Sequence, residues 1–220
     1  MITTLPDILP ACVDTSKPLG QAVVAMFKGV EEELEGYPPG SVKIIIFGGI
    51  AVHLYTNHRV SVDVDAEIFH CSRQLSKDEL IESLGSTPET FIDPSTGRTL
   101  ALNYDLTFNT TLGPLHEDYL ERAIQLEEFG EGSPIHILIA SPVDLAISKL
   151  GRATEQDIED IETLLRRGLI LTTDLNRLAL QAIDVYVGNK EPPQSILHAI
   201  ITDYLETAHD DEAYDADRPV

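Results

Sequence analysis

The stretch Val42-Lys43-Ile44-Ile45-Ile46-Phe47-Gly48-Gly49, with Asp63-Val64-Asp65 beginning fourteen residues beyond Gly49, decides the reading of this chain. An apolar run of that length predicts a strand, and the glycine pair predicts a tight turn from strand into helix. Ile50 to Tyr55 then reads as a short helix and Val60 to Phe69 as a second strand. Alternation along that strand places Asp63 and Asp65 on one face and Val62, Val64 and Ala66 on the other. Two carboxylates so placed can share a divalent metal ion. Beside a glycine turn at a helix N-terminus, such an ion can sit against a nucleoside triphosphate.

Working outward, the order is strand, glycine turn, helix, Arg59, Ser61, Asp63-x-Asp65. It resembles the signature of the nucleotidyltransferase superfamily, a Gly-Gly or Gly-Ser turn followed by an Asp-x-Asp or Asp-x-Glu strand. A second block lies far downstream. Ser141-Pro142-Val143-Asp144-Leu145-Ala146-Ile147-Ser148-Lys149-Leu150, then Asp157-Ile158-Glu159-Asp160-Ile161, is similar to one found in small bacterial nucleotidyltransferase-like proteins. These include abortive-infection and toxin–antitoxin relatives. The two blocks span Val42 to about Leu165.

The resemblance implies an α/β (α+β) fold: a mixed β-sheet core with flanking helices and a helical C-terminal part. It implies a metal-dependent enzyme that moves a nucleoside monophosphate from a nucleoside triphosphate to an RNA or protein acceptor. Mg²⁺ or Mn²⁺ would be the cofactor, and an antitoxin protein a partner. Asp63 and Asp65 would hold the metal, and the third carboxylate normally comes from a neighbouring strand, where Asp105 fits best. Gly48, Gly49, Arg59 and Ser61 would face the nucleotide, Lys149 the triphosphate, and Asp157 and Asp160 would serve the reaction.

Each of these residues has a plainer reading. Asp63 and Asp65 suit an exposed edge strand that discourages sheet-to-sheet pairing. A slip of the strand by two residues would make Asp65 and Glu67 the facing pair. Arg59 is either a surface charge or a salt-bridge partner that orients Asp63, and Ser61 an edge hydrogen bonder. Lys149 can run its stem along apolar neighbours toward water. Asp157 and Asp160, three apart, share one helix face, which with Glu159 and Glu162 reads as a solvated acidic surface. His53 and His136 have no partner at ligand spacing and read as structural. The rival to an enzyme is therefore a non-catalytic module of the same fold that binds a nucleotide or a protein.

Composition narrows the field. The 220 residues carry 15 basic and 37 acidic side chains, a net charge of −22. That balance argues against a broad nucleic-acid surface, which needs clustered Lys and Arg. Local basic pairs remain at Lys149 with Arg152 and at Arg166 with Arg167. A hydrophobic share of 43% supports a packed core. No apolar run approaches the roughly 20 residues that span a bilayer, and no basic-then-apolar leader opens the chain, so no membrane partner and a cytoplasmic location are expected. Cys12 and Cys71 form neither a metal spacing nor a disulfide framework.

The remaining elements follow from period and punctuation. Residues 1–15 read as an irregular lead-in. Helices are expected over Leu19–Leu34, Lys77–Leu84, Pro142–Leu150, Thr154–Arg167, Leu175–Tyr186 and Pro193–Thr207. Strands are expected at Phe91–Ile92, Leu100–Phe108 and Ile135–Ala140, with Asp93 to Gly97 as a hairpin turn. Glu117–Ile124 reads as a helix or an extended connector. In the Leu100–Phe108 strand, Leu102, Tyr104, Leu106 and Phe108 share one face, and Asn103, Asp105 and Thr107 the other. The organisation is then a core with its N-terminal helix over 1–140, a helical part over 141–207, and an acidic disordered tail over 208–220.

Overall fold

In a computed structural model of the chain, residues 11–86 and 88–216 are described. Pro18–Glu33 forms α1, opened by proline in its first turn. Its buried stripe, Leu19, Val23, Met26, Phe27 and Val30, recurs at helical spacing, and Phe27 meets Phe129 edge to face at 6.4 Å. The chain then enters β1, Val42–Ile46, passes Phe47, and turns at Gly48 into α2, Gly48–Thr56. Every residue of α2 from Gly49 to Thr56 is buried, so it is an internal helix rather than a surface one.

The predicted strand Val60–Phe69 is two strands in two sheets: β2, Asp63–Val64, and β3, Ala66–Cys71. The chain changes sheets at Asp65. The carbonyl of Val64 accepts from Asp105 N–H, and that of Asp65 accepts from Phe47 N–H. After α3, Lys77–Ser86, come β4, Glu89–Ile92, and β5, Thr99–Tyr104, an antiparallel hairpin closed by the expected Asp93–Gly97 turn. β5 also pairs parallel with β2, which makes the smaller sheet β2-β5-β4. β5 stops at Tyr104, four residues short of the expected end, because Asp105 Oδ1 captures the Thr107 amide and hydroxyl at 2.7 Å and turns the chain. Leu106 is consequently exposed, not part of a buried face.

The Glu117–Ile124 connector holds one helical turn, α4, Tyr119–Arg122, and leads into β6, Ile124–Gln125. β7, Ile135–Ile139, completes the larger sheet in the order β3-β1-β7-β6. β1 lies in its middle, antiparallel to β3 and parallel to β7, with Val42, Ile44, Ile45 and Ile46 fully buried. Four helices close the chain: α5, Pro142–Lys149, α6, Glu155–Arg166, α7, Thr172–Val185, and α8, Glu191–Ala216. This is the mixed α/β architecture expected, with helices in the C-terminal part. α8 continues nine residues past the expected Thr207 end, through a segment expected to be disordered. Alanines at 208, 213 and 216 among the acids suit that continuation. The outer parts of the lead-in and tail, 1–10 and 217–220, lie outside the described residues.

Candidate active site

The two sequence blocks meet at one cavity of about 390 Å³. Phe47, Gly48 and Asp65 line it from the first block, Asp105 from the end of β5, and Ser148, Lys149, Gly151, Arg152 and Asp157 from the second block. The loop after β5, through Phe108, Asn109, Thr110, Gly113 and Leu115, forms the roof.

Gly48 sits at φ +63, a conformation that glycine adopts without strain. A Cβ there would overlap Asp65 Oδ2 and stand 2.6 Å from Asp65 Cγ. The glycine therefore does more than turn the chain: its bare Cα is the surface on which the Asp65 carboxylate rests. That carboxylate accepts no hydrogen bond from any described residue. Burial is the first cause that pushes its pKa up to about 6, and the negative charge of Asp105 is the second. Lys149 and Arg152 pull it down, and Asp63 adds a weaker upward push. For Asp105, burial raises the carboxyl, but the hydrogen bonds from Thr107 and the Phe108 amide outweigh it, so its pKa is lowered.

Asp63 is exposed on β2 and does not line the cavity. The chain changes sheets at Asp65, so Asp63 lies on the smaller sheet while Asp65 stands at the junction of the two. Glu67 faces elsewhere, with Oε2 accepting from the Thr110 amide at 2.9 Å and so fixing the roof loop. Ser61 is half-buried outside the cavity lining. Among the described residues, no group of three acidic, histidine or cysteine side chains is arranged to enclose a metal ion by itself.

The downstream block builds a chain of ion pairs beneath the cavity. Lys149 is buried and bonds Asp157 Oδ1 at 3.1 Å and Asp160 Oδ2 at 2.7 Å. Arg152 grips Asp157 with Nε and Nη2 at 2.8 and 2.9 Å. Arg59 grips Asp160 in the same forked way, both contacts at 2.8 Å. Asp157 also caps α6 in a reciprocal pair with Thr154. Asp157 and Asp160 are almost wholly buried, so their helix face is an internal one, not a solvated acidic surface. Burial works against both carboxylates, yet their cationic and hydrogen-bond partners hold both pKa values below the usual range. Arg59 pairs with Asp160, not with Asp63.

A family described as nucleotidyltransferases of unknown function (DUF6036) matches residues 24–208. The chain belongs to that family. No curated protein matches it. In this member of the family, the match takes in the whole cavity lining and the whole ion-pair chain.

Sequence reading missed the roof loop and one buried pair. Gly113 was the available signal: a Cβ there would stand 2.5 Å from Ser148 O, so the loop needs glycine to close on α5. The buried pair joins Arg122 Nε and Nη2 to Asp144 at 2.9 and 2.8 Å. Asp144 also receives the Ser141 hydroxyl, which anchors the start of α5. His53 is buried, and its Nδ1 lies 2.6 Å from Arg59 O. Burial lowers its pKa, so the ring is neutral at pH 7 and donates from Nδ1. Among the described residues no helix is long and apolar enough to cross a membrane.

Proposed function

We propose that this protein transfers a nucleoside monophosphate from a nucleoside triphosphate to an acceptor hydroxyl, using a divalent metal ion. The observation that carries this reading is Asp65. It is a half-buried carboxylate, seated on Gly48 without a hydrogen bond, in a cavity that Asp105, Lys149 and Arg152 also line. A carboxylate so placed lacks a cation of its own, and the nearest cations are committed to Asp157 and Asp160.

The donor set fits Mg²⁺ or Mn²⁺, since Mg²⁺ commonly takes one or two carboxylates and completes its shell with water and substrate phosphate. Asp65 and Asp105 would hold it, with Asp63 contributing charge from outside. When bound, it would neutralise phosphate charge and activate the attacking hydroxyl. The chain's own groups do the positioning. The first-turn amides of α2 have no partner within their helix and face anionic oxygens well. Lys149 and Arg152 place positive charge where the leaving pyrophosphate accumulates negative charge. The apolar part of the lining, Phe47, Phe108 and Leu115, gives the nucleoside a dry surface. With a net charge of −22, a protein acceptor suits this chain better than RNA.

One observation favours the non-catalytic alternative: Asp63, one of the expected metal ligands, lies outside the cavity lining. Incubation with each α-labelled nucleoside triphosphate and Mg²⁺, with and without tRNA or a cell protein extract, separates the readings. Label transfer by the wild type that Asp65→Ala and Asp105→Ala abolish supports transfer. Nucleotide binding by calorimetry with no transfer to any acceptor supports a binding module and overturns the enzyme.

A further inference from the structure

We propose that Arg59 is a positioning residue for this cavity: it sets the glycine turn and Lys149 at a fixed spacing without itself reaching the cavity. This rests on the nucleotidyl-transfer reading above. Three observations converge on the one side chain.

First, its guanidinium lies flat against the glycine turn. A Cβ on Gly49 would stand 2.5 Å from Arg59 Nη2 and 2.8 Å from Nη1. So each glycine of the pair carries a different passenger: Gly48 seats Asp65, and Gly49 seats Arg59. Second, Arg59 binds Asp160 through two parallel contacts across 101 residues of sequence. The other oxygen-to-cation contact of Asp160 is to Lys149. The route from the glycine turn to Lys149 thus runs through three contacts: the guanidinium packed on Gly49, its forked bond to Asp160, and the Asp160–Lys149 ion pair. Third, the backbone of Arg59 is itself held. Asn57, at φ +51, ends α2 and turns the chain back, and His53 donates to the Arg59 carbonyl. The side chain therefore runs back along α2 to its first turn.

The chemistry explains why arginine is needed. Only a planar fork can lie on a bare Cα and grip both oxygens of a buried carboxylate. Lysine supplies the charge but one point of contact. Asp160 would then be shared by two ammonium groups, and the forked bond that ties the turn to α6 would be lost, leaving only the packing of α2 on α6. Arg59 is absent from the cavity lining, so its loss should leave nucleotide contact intact and disturb the alignment of the reacting groups. A displacement of about 1 Å is enough to slow an aligned reaction about a hundredfold.

The test uses the full chain with Arg59→Lys, Gly49→Ala and the double variant. With Mg²⁺ and labelled nucleoside triphosphate, Arg59→Lys should lower kcat about 10- to 100-fold while KM for the nucleotide changes less than about threefold. Gly49→Ala displaces the same guanidinium, so the double variant should be no slower than the worse single one. Amide hydrogen exchange supplies a readout that does not need activity. Arg59→Lys should speed exchange at least tenfold at Ala51, whose amide donates to the Phe47 carbonyl across the glycine turn, while the buried α6 amides of Ile161 and Leu164 stay protected. Unchanged exchange at the glycine turn overturns the proposal, whether or not the wild type transfers nucleotide. So does unaltered kcat, or multiplicative losses in the double variant. An inactive wild type with the expected exchange pattern would instead overturn the transfer reading and leave the positioning role standing.

Discussion

Replacing Gly48 with alanine isolates the seat of Asp65. At φ +63 an alanine costs about 1–2 kcal/mol from backbone strain alone. Its Cβ would also overlap Asp65 Oδ2 and stand 2.8 Å from Asp65 Cβ, so the carboxylate must leave its place. A side chain driven off its rotamer adds about 0.5–1.5 kcal/mol. Together these give about 2–3 kcal/mol, which for a chain of this size lowers Tm by about 4–12 °C. Gly97 is the internal control, because it sits at φ +70 with nothing within 4 Å of an added Cβ. Gly97→Ala should show the backbone term only. Calorimetry compares the two variants, and labelled-nucleotide transfer is measured on the same samples. Gly48→Ala should melt below Gly97→Ala and lose about a hundredfold in transfer rate, whereas Gly97→Ala should keep its rate. If the two melt together and both stay active, Asp65 does not depend on its seat and the reasoning about this cavity fails.

Other expectations follow from the same geometry. The raised pKa of Asp65 means the folded chain holds that proton more tightly; the resulting stability is present below about pH 4 and lost as pH rises toward about 6. After discounting for its partial exposure this is on the order of 1–2 kcal/mol, so Asp65→Asn should gain on the wild type between pH 4.5 and 7.5 in thermal melts; parallel curves would refute it. Asp157 and Asp160 act in the opposite sense: their lowered pKa values give stability present above about pH 4 and lost in acid. Asp160→Ala leaves Arg59 and Lys149 without their buried partner and should cost about 3–5 kcal/mol in urea unfolding. Asp174→Ala, which removes only an exposed pair with Arg177, should cost less than about 1 kcal/mol. Finally, Mg²⁺ at about a hundredfold excess over its dissociation constant should stabilise the wild type by about 2.7 kcal/mol. Asp65→Ala should gain nothing; an equal gain in that variant would place the ion elsewhere.

What could be read in advance was whatever depends on near neighbours in sequence. The run Val42–Phe47, the glycine pair and the apolar α2 announce a strand, a turn and a helix by composition alone. The three-residue spacing of Asp157 and Asp160 correctly put them on one helix face. Burial of that face was hidden, because its partners, Lys149 and Arg59, lie 8 and 101 residues from the acids they bind. The change of sheets at Asp65 was hidden for another reason. Val64, Ala66 and Ile68 stay buried on both sides of the crossing, so the alternating pattern runs on undisturbed. The early end of β5 was a contest between Leu106 and Phe108, which favoured a strand, and Asp105, whose side chain captured the next turn. The roof loop carried no period at all.

The parallel pairing of β1 with β7 has a consequence for how the protein comes into being. Val42 waits for Ile135, and Arg59 for Asp160, so the cavity cannot be completed until these residues exist. During synthesis, β1 would meet β3 first and would keep its other edge open until β7 emerged. An open edge of that kind invites pairing with other chains. A message cut short near residue 140 would yield Asp65 and Asp105 without Lys149, a half-built cavity with no cations opposite its acids. The cavity and its ion pairs are complete only once residues through Asp160 have been made.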